Sequence, residues 1–219
     1  MERPAAIEIT DLTVCFDGRD VLEKFSMRIA PGERVHLQGA SGCGKSTLLR
    51  CVLGFVAPRE GAIRIEGELL SGRSAWALRR RLAYVPQEPN LGAGSVAQVF
   101  ERPFHYRANT HLKGNLKRIE ELMERFLLSP ALLDKDVAAI SGGEKQRVAL
   151  ISAILLDRSI FLLDEPTSAL DKAGKKAVGD YMKSCEGICV LFAAHDAEAL
   201  GGADRAVRVP KASAGGNER

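Results

Sequence analysis

The first part of the chain alternates apolar and polar residues with a period of two. Within residues 6–16 most apolar side chains are separated by a polar one, and the same spacing returns at residues 27–29 and 63–65. A strand that buries one face and exposes the other shows this period. The pattern therefore predicts half-buried antiparallel strands in this part of the chain.

A different pattern begins at residue 35. Val35 and Leu37 precede a glycine-rich turn and an apolar stretch at residues 47–52, which predicts a strand, a loop and a helix in succession. Residues 159–163 and 188–194 are short, mainly apolar runs, as expected of parallel strands covered on both faces. The predicted fold class is α/β, with a parallel sheet and an amino-terminal antiparallel β-subdomain.

Helical periodicity separates the two parts of this predicted core. From Leu116 to Leu127 the apolar residues recur at helical spacing, and charged residues occupy the other face. We therefore predict an inserted α-helical subdomain over residues 91–156, between core segments 1–90 and 157–210. The small and polar residues 211–219 are predicted to be a frayed tail. The whole chain is then a single domain.

Composition narrows the functional classes. Of the 219 residues, 46% are hydrophobic, which is enough for one continuous core and too many for intrinsic disorder. The 31 Lys and Arg nearly balance the 28 Asp and Glu, which argues against a dedicated nucleic-acid binder. No apolar run approaches the roughly 20 residues that span a bilayer, and no secretory signal is recognisable. We expect a cytosolic protein with free thiols at its five cysteines.

The glycine-rich turn has the spacing of a phosphate-binding loop. A glycine, four further residues and then Gly-Lys-Ser let backbone N–H groups turn inward around phosphate oxygens. Lys45 is expected to bridge the β- and γ-phosphates, and the Ser46 hydroxyl to bind Mg²⁺. A glycine-rich turn that binds nothing is the alternative. The predicted nucleotide contacts are Gly39, Ala40, Ser41, Gly42, Cys43, Gly44, Lys45, Ser46 and Thr47.

Two adjacent carboxylates, Asp164 and Glu165, end the apolar run at residues 160–163. Ligands of open α/β sheets bind at the carboxyl ends of the strands, where both acids are predicted to lie. Asp164 is the better candidate for holding Mg²⁺, and Glu165 could orient or deprotonate the water that attacks the γ-phosphate. A solvated acid pair is the alternative, and the upstream phosphate loop weighs against it.

A second glycine-rich segment lies at residues 140–147 and precedes an apolar helix. Ser141 and Glu144 have the spacing of a capping box, which is a purely structural explanation. Two consecutive glycines in a first helical turn each cost up to about 1 kcal/mol relative to alanine. Gly142 and Gly143 therefore suggest the close approach of another group, such as a phosphate at the helix amino terminus.

In this order the segments resemble the motifs of the ABC (ATP-binding cassette) ATPases. Residues 141–147, Ser-Gly-Gly-Glu-Lys-Gln-Arg, resemble the signature motif and lie between the phosphate loop and the acidic strand end, as in that family. Further matches are Phe16 at the position of a ring that stacks on adenine, Gln87 in a Q-loop, Ser168 to Asp171 in a D-loop, and His195 as a switch histidine. Each of these residues also has a purely structural explanation when it is taken alone. The resemblance is specific because all of the motifs occur in the order found in the family.

The resemblance implies ATP hydrolysis with Mg²⁺. Glu165 and His195 are then the catalytic residues, with His195 sensing the γ-phosphate. Phe16 and Gln87 join the nucleotide contacts, and Gln87 also joins Ser46 and Asp164 at the metal. Phe16 stands where tyrosine is commoner in the family, which keeps a stacking ring and removes a hydroxyl.

The resemblance also implies partners. In the family the signature motif of one cassette completes the ATP site of another, so a head-to-tail dimer with a second copy or a paralogous cassette is expected. Ser141, Gly142 and Gly143 would contact the γ-phosphate bound to the other subunit, and Asp171 would line the dimer seam.

In its short length, this chain resembles small bacterial stand-alone cassettes, some of which are linked to metal export. They imply an integral membrane permease as a partner, a position on the cytoplasmic face of the inner membrane and no nucleic-acid partner. The helical insert resembles the subdomain whose groove accepts the membrane subunit. Phe100, Phe104 and Tyr106 are candidate anchors there, with local core as the alternative.

Two other functions remain open from the sequence. An ABC-type ATPase could drive a mechanical change in an envelope or cytosolic complex instead of transport. A small-molecule kinase shares the phosphate loop but leaves residues 141–147 unexplained.

Two smaller expectations concern side chains: Cys43 makes hydrolysis sensitive to thiol modification, and residues 79–81, three arginines, form a solvated face.

Overall fold

The computed structural model describes residues 4–194 and 197–211, which form two β-sheets and six α-helices. The strands are β1 (Ile7–Phe16), β2 (Arg19–Ile29), β3 (Arg34–Gln38), β4 (Glu60–Ile65), β5 (Glu68–Leu69), β6 (Leu82–Val85), β7 (Ile160–Asp164), β8 (Cys189–Ala193) and β9 (Arg205–Arg208). The helices are α1 (Lys45–Val52), α2 (Ala75–Arg79), α3 (Val96–Glu101), α4 (Ile119–Arg125), α5 (Gly142–Leu155) and α6 (Lys172–Ser184).

The parallel sheet has the strand order β6-β7-β8-β3-β9. Successive residues of its central strands enter two different hydrophobic cores, because side chains alternate between the faces of a sheet. Ile160 and Leu162 of β7 lie in one core, and Phe161 and Leu163 lie in the other. This two-sided burial explains the continuous apolar runs and confirms the predicted parallel strands.

The antiparallel sheet has the strand order β2-β1-β4-β5, which confirms the predicted amino-terminal β-subdomain. Ile7 of β1 lies opposite Ile29 of β2 and Ile65 of β4. These side chains share one core with helix α1 and with one face of the parallel sheet. The antiparallel sheet therefore packs directly against the element that follows the glycine-rich loop.

The other face of the parallel sheet packs against the helical insert and α6. The helical periodicity at residues 116–127 falls on the end of a 3₁₀ segment, Thr110–Arg118, and on α4, which follows it. Helix α4 ends because Leu127 adopts a left-handed conformation with φ +55°. The N–H of Leu128 then donates to the carbonyl of Met123, as in a Schellman motif. Leu127 is left exposed beyond the helix.

Two of the three predicted permease anchors are core residues. Phe100 of α3 and Phe104 in the following 3₁₀ turn are fully buried in the core between the helical insert and the parallel sheet, so the alternative of local core holds for both and neither is a surface anchor. The capping box at Ser95 sets the direction in which α3 enters that core. Tyr106 is exposed.

The described part of the chain includes no helix with the length and apolar character needed to cross a bilayer. The predicted tail lies almost entirely outside the described residues, which end at Lys211.

Candidate nucleotide-binding site

The glycine-rich loop connects β3 to α1 and packs against the antiparallel sheet. Gly44 caps α1 with φ +103°, in the left-handed region that favours glycine. A Cβ on Gly44 would lie 3.0 Å from side-chain carbons of Val21 and Leu22 in β2. The loop therefore needs glycine here both for its conformation and for its contact with β2.

Lys45 begins α1 and extends back across its own loop. Its Nζ donates hydrogen bonds to the carbonyl oxygens of Gly39, at 2.8 Å, and Ala40, at 3.2 Å. This ammonium group beside the amino terminus of α1 adds positive charge where the helix dipole is also positive. This arrangement favours a bound phosphate.

The predicted magnesium ligands come together between α1 and β7. The Ser46 hydroxyl donates a hydrogen bond to Oδ1 of Asp164 at 3.0 Å, although the two residues are 118 positions apart in the sequence. Asp164 is buried, and together with Ser46 and Gln87 it lines a cavity beside the phosphate loop. Hydroxyl, carboxylate and amide oxygens are hard donors that suit Mg²⁺. A bound Mg²⁺ would neutralise charge on the phosphate oxygens.

Glu165 follows Asp164 at the end of β7 in a left-handed conformation, with φ +46°. Its N–H donates to the carbonyl of Ala193 at 2.8 Å, and its carbonyl accepts from the N–H and hydroxyl of Ser168. A left-handed conformation in a non-glycine residue is costly and persists where its surroundings hold it. Asp164 and Glu165 both line the nucleotide cavity, as predicted for the two acids.

The phosphate loop and the acids at the end of β7, which are far apart in the sequence, line the same cavity of about 210 Å³. Its walls are Val21, Ser41, Gly42, Gly44, Lys45, Ser46, Thr47, Gln87, Asp164 and Glu165. Residues 141–143 do not line it. One chain thus provides the phosphate loop and the acids, with the second glycine-rich segment outside that cavity.

That segment forms the amino terminus of α5. Oγ of Ser141 accepts from the N–H of Glu144, and the Glu144 carboxylate accepts from the N–H of Ser141 at 2.7 Å, so the predicted capping box is present. The hydrogen bond from the Ser141 N–H, and then the Ser141 side chain, lower the pKa of the Glu144 carboxyl. Gly142 faces open space, whereas a Cβ on Gly143 would lie 2.9 Å from the carbonyl oxygen of Ala169. The close approach at Gly143 is therefore within the chain.

A family model described as "ABC transporter" matches residues 22–168, about two thirds of the chain. The chain belongs to the ABC transporter family. It is an ATP-binding and ATP-hydrolysing cassette of a membrane transporter.

Relatives and solved structures agree with this assignment. The probable iron export ATP-binding protein FetA of Escherichia coli K12 is 33% identical over 85% of this chain and 83% of its own length. An Fe(3+) ions import ATP-binding protein, FbpC 2 of Pectobacterium atrosepticum, is 36% identical, and the match spans 92% of this chain and 59% of that protein. A dimeric post-hydrolysis structure of the cassette MJ0796 with ADP and Pi has a TM-score of 0.81 at 25% identity, covering 92% of this chain and 93% of that one.

Phe16 and Asp171, two further predicted residues of this ABC cassette, are not among those that line the cavity. Phe16 is 45% exposed at the end of β1 and is not in the cavity wall. Asp171 caps α6, where its Oδ1 accepts from the N–H of Gly174 at 2.8 Å. His195 lies outside the described residues.

The structure corrects the expectation for Cys43. Its side chain is buried, and a Cβ on Gly39 would lie 2.4 Å from its Sγ. The loop folds over its own cysteine, so modification of Cys43 requires the loop to open. The predicted sensitivity of the folded cassette to thiol modification is therefore not supported by its accessibility.

Sequence reasoning missed residues that connect the motifs. Gln146 of α5 is fully buried, and its Nε2 donates to the carbonyl of Pro86, next to Gln87, at 3.3 Å. Tyr84 lies near Asp164, and burial and then the Asp164 charge raise the pKa of its hydroxyl. A polar side chain within an apolar helix was the available signal for Gln146, whereas nothing local distinguished Tyr84.

Proposed function

We propose that this cassette hydrolyses ATP at composite sites in a head-to-tail dimer, with a second copy or a paralogous cassette as its partner. The main support for this proposal is that one chain places the predicted nucleotide-binding residues in two separate locations. The phosphate loop and the acids line one cavity, while the amino terminus of α5 lies outside it, with open space at Gly142. A two-fold arrangement places the signature segment of each subunit against the cavity of the other.

Within that site each residue has a distinct role. Lys45 and the loop N–H groups hold the phosphates, and the oxygens of Ser46, Gln87 and Asp164 hold Mg²⁺. Glu165 orients or deprotonates the attacking water, and His195 contacts the γ-phosphate. Ser141 and Gly142 complete the site from the other subunit.

We further propose that an integral membrane permease docks on an exposed aromatic–arginine patch and holds the cassette at the cytoplasmic face of the inner membrane. This patch consists of Phe55, Leu69, Trp76, Arg79 and Arg80. Phe55 is 60% exposed and Trp76 is 65% exposed. The guanidinium carbons of Arg79 and Arg80 lie 5.0 Å and 5.4 Å from the ring centres of Phe55 and Trp76, respectively.

The patch fits a helical segment that carries both apolar and acidic side chains. An apolar cavity of about 360 Å³ opens beside Leu69, within reach of an inserted side chain. Aromatic residues and arginine are enriched at protein interfaces, and the two cations suit carboxylates on the partner. Of the three arginines predicted to form a solvated face, Arg80 is exposed, while Arg79 and Arg81 are half-buried and Arg81 pairs with Glu66 and Glu68.

Glu165→Gln tests the composite ATPase site. The substitution keeps size and polarity but removes the base, so we expect ATP hydrolysis to fall at least about a hundredfold while ATP binding persists. Gel filtration with ATP and Mg²⁺ should then show a trapped dimer.

Lys45→Ala is the matched control. It should weaken nucleotide binding and leave the protein monomeric in the same experiment. A Glu165→Gln variant that hydrolyses ATP at the wild-type rate, or that stays monomeric with bound ATP, would contradict the proposed function.

A further inference from the structure

His36 is a buried polar residue that the proposed ATPase mechanism does not use. It is 5% exposed and lies in the middle of β3. Its neighbours Val35 and Leu37 belong to the core beneath the antiparallel sheet. Because strand residues alternate between faces, His36 points to the opposite face of the parallel sheet. There its ring stacks on Phe192 of β8, with the centres 5.0 Å apart and the planes 13° apart.

The imidazole also makes a hydrogen bond of defined direction. Nε2 of His36 lies 2.8 Å from the carbonyl oxygen of Ala194. A carbonyl oxygen only accepts, so Nε2 carries the hydrogen and donates it. Ala194 follows β8 and directly precedes His195.

The same strand end also holds the predicted general base. The carbonyl of Ala193, one residue earlier, accepts the N–H of Glu165 at 2.8 Å. Strand β8 lies between β7 and β3 in the sheet. Two consecutive carbonyls at the end of β8 are therefore held from opposite sides, one by Glu165 and the other by His36. Glu165 depends on such support, because its left-handed backbone conformation is costly by itself.

We propose that His36 is a positioning residue for ATP hydrolysis. Its Nε2–H holds the Ala194 carbonyl, and thereby sets the strand end that anchors the Glu165 backbone and leads into His195. This inference rests on the proposed function, which gives Glu165 and His195 their roles. The His36 donor is buried and acts on the end of β8, not on the phosphate loop. Its loss should therefore affect the chemical step more than nucleotide binding.

Two substitutions separate the donor from the ring. His36→Phe keeps an aromatic ring for Phe192 and removes the donor, whereas His36→Gln keeps an N–H₂ donor and removes the ring. With the purified full chain, we expect His36→Phe to lower kcat about tenfold while the KM for ATP changes less than about twofold. His36→Gln should retain kcat within about twofold of wild type.

Stability is measured on the same samples by thermal unfolding, and His36→Leu repeats the loss of the donor with a smaller side chain. If a folded His36→Phe or His36→Leu variant retains wild-type kcat, the proposal is wrong. It is equally wrong if folded His36→Gln loses as much kcat as these variants, or if kcat falls only in proportion to the unfolded fraction.

Glu165→Gln and His195→Ala, assayed in parallel, separate a failure of the proposed function from a failure of the positioning role of His36. If both remain active, the proposed roles of Glu165 and His195 fail whatever the His36 variants do. If both are inactive while His36→Phe is fully active, only the positioning role fails.

Discussion

At the scale of single residues, two left-handed backbone conformations serve different purposes. Glu165 turns the chain at the end of β7, where its N–H reaches Ala193 and its side chain borders the nucleotide cavity. Leu127 closes α4 and reverses the chain so that Leu128 enters the core. Its own large apolar side chain remains exposed, so the cost of its conformation has no compensating burial.

Leu127→Gly should therefore stabilise the protein. Glycine adopts this conformation without steric cost, and we expect the free energy of unfolding to rise by up to about 1 kcal/mol, as measured by urea denaturation. Leu127→Ala is the control, because alanine shortens the side chain but keeps the strained Cβ. A glycine variant that is no more stable than the alanine variant would refute this explanation.

The cysteines should differ in reactivity according to their burial. Burial raises the pKa of Cys51 and of Cys189 to about 12, so both thiols stay protonated at pH 8. Cys43 is buried by its own loop. We expect N-ethylmaleimide to label partly exposed Cys15 first, as followed by mass spectrometry, with these three cysteines protected until urea is added. Fast labelling of Cys43 in the folded protein would show that the loop opens readily.

At the scale of elements, α5 is fixed at several points along its length. The capping box closes its amino terminus, and Arg147 donates to the carbonyls of Phe126 and Leu127, both at 3.1 Å. Gln146 ties the helix to Pro86 beside the Q-loop. These contacts join the signature segment to α4 and to the strand that leads to Gln87, so the three elements are expected to move together.

Glu144→Gln tests the charged part of this cap. Hydrogen bonds lower the pKa of folded Glu144 below its ordinary value of 4.5. The carboxylate therefore adds stability above that ordinary pKa, and this contribution is lost as the pH falls through the lower, folded-state pKa. We expect the variant to be less stable than wild type at pH 7 in urea denaturation, with the difference shrinking as the solution is acidified below pH 4.5.

The control for that experiment is Glu120→Gln, in the first turn of α4, where the helix cap makes no side-chain hydrogen bond. It should change stability little, with a similar loss on acidification in variant and wild type. A difference between Glu144→Gln and wild type that stays constant from pH 7 to pH 3 would argue against the capping carboxylate.

At the scale of the whole molecule, the two cores place function on different surfaces. The nucleotide cavity lies at the carboxyl ends of the parallel strands, beside the antiparallel sheet. The aromatic–arginine patch lies where α1, β5 and α2 leave large side chains exposed. Helix α1 runs from Lys45 in the cavity towards Phe55 in the patch, three residues beyond its end. Helix α1 therefore connects the cavity directly to the proposed permease surface.

Trp76→Ala combined with Phe55→Ala should weaken docking. Truncated aromatic anchors at the centre of an interface typically cost 2 kcal/mol or more, so affinity for the permease in detergent should fall at least about tenfold. Leu127→Ala is the control, since Leu127 is 56% exposed but lies outside the patch and is not a candidate anchor. Unchanged affinity in the double variant, with thermal unfolding like that of wild type, would exclude this surface as the docking site.

The sequence alone was sufficient to predict the phosphate loop, the two acids, the capping box at Ser141 and both kinds of strand. These features depend on local spacing and on the period of burial, which are properties of consecutive residues. It was insufficient for Phe100, Phe104 and Cys43, because the same residue types suit an interface, a reactive site or a core. Which of these they occupy depends on the elements packed against them.

Tertiary structure alone decided the contacts between distant residues. The Ser46–Asp164 hydrogen bond spans 118 positions, and the His36–Ala194 hydrogen bond spans 158. Both depend on the parallel strand order, which brings the ends of β3, β7 and β8 to one edge of the sheet. The sequence by itself thus determined which chemical groups this ABC cassette has for binding ATP. The sheet determined which of them meet, because non-local strand pairing leaves no signal in the spacing of neighbouring residues.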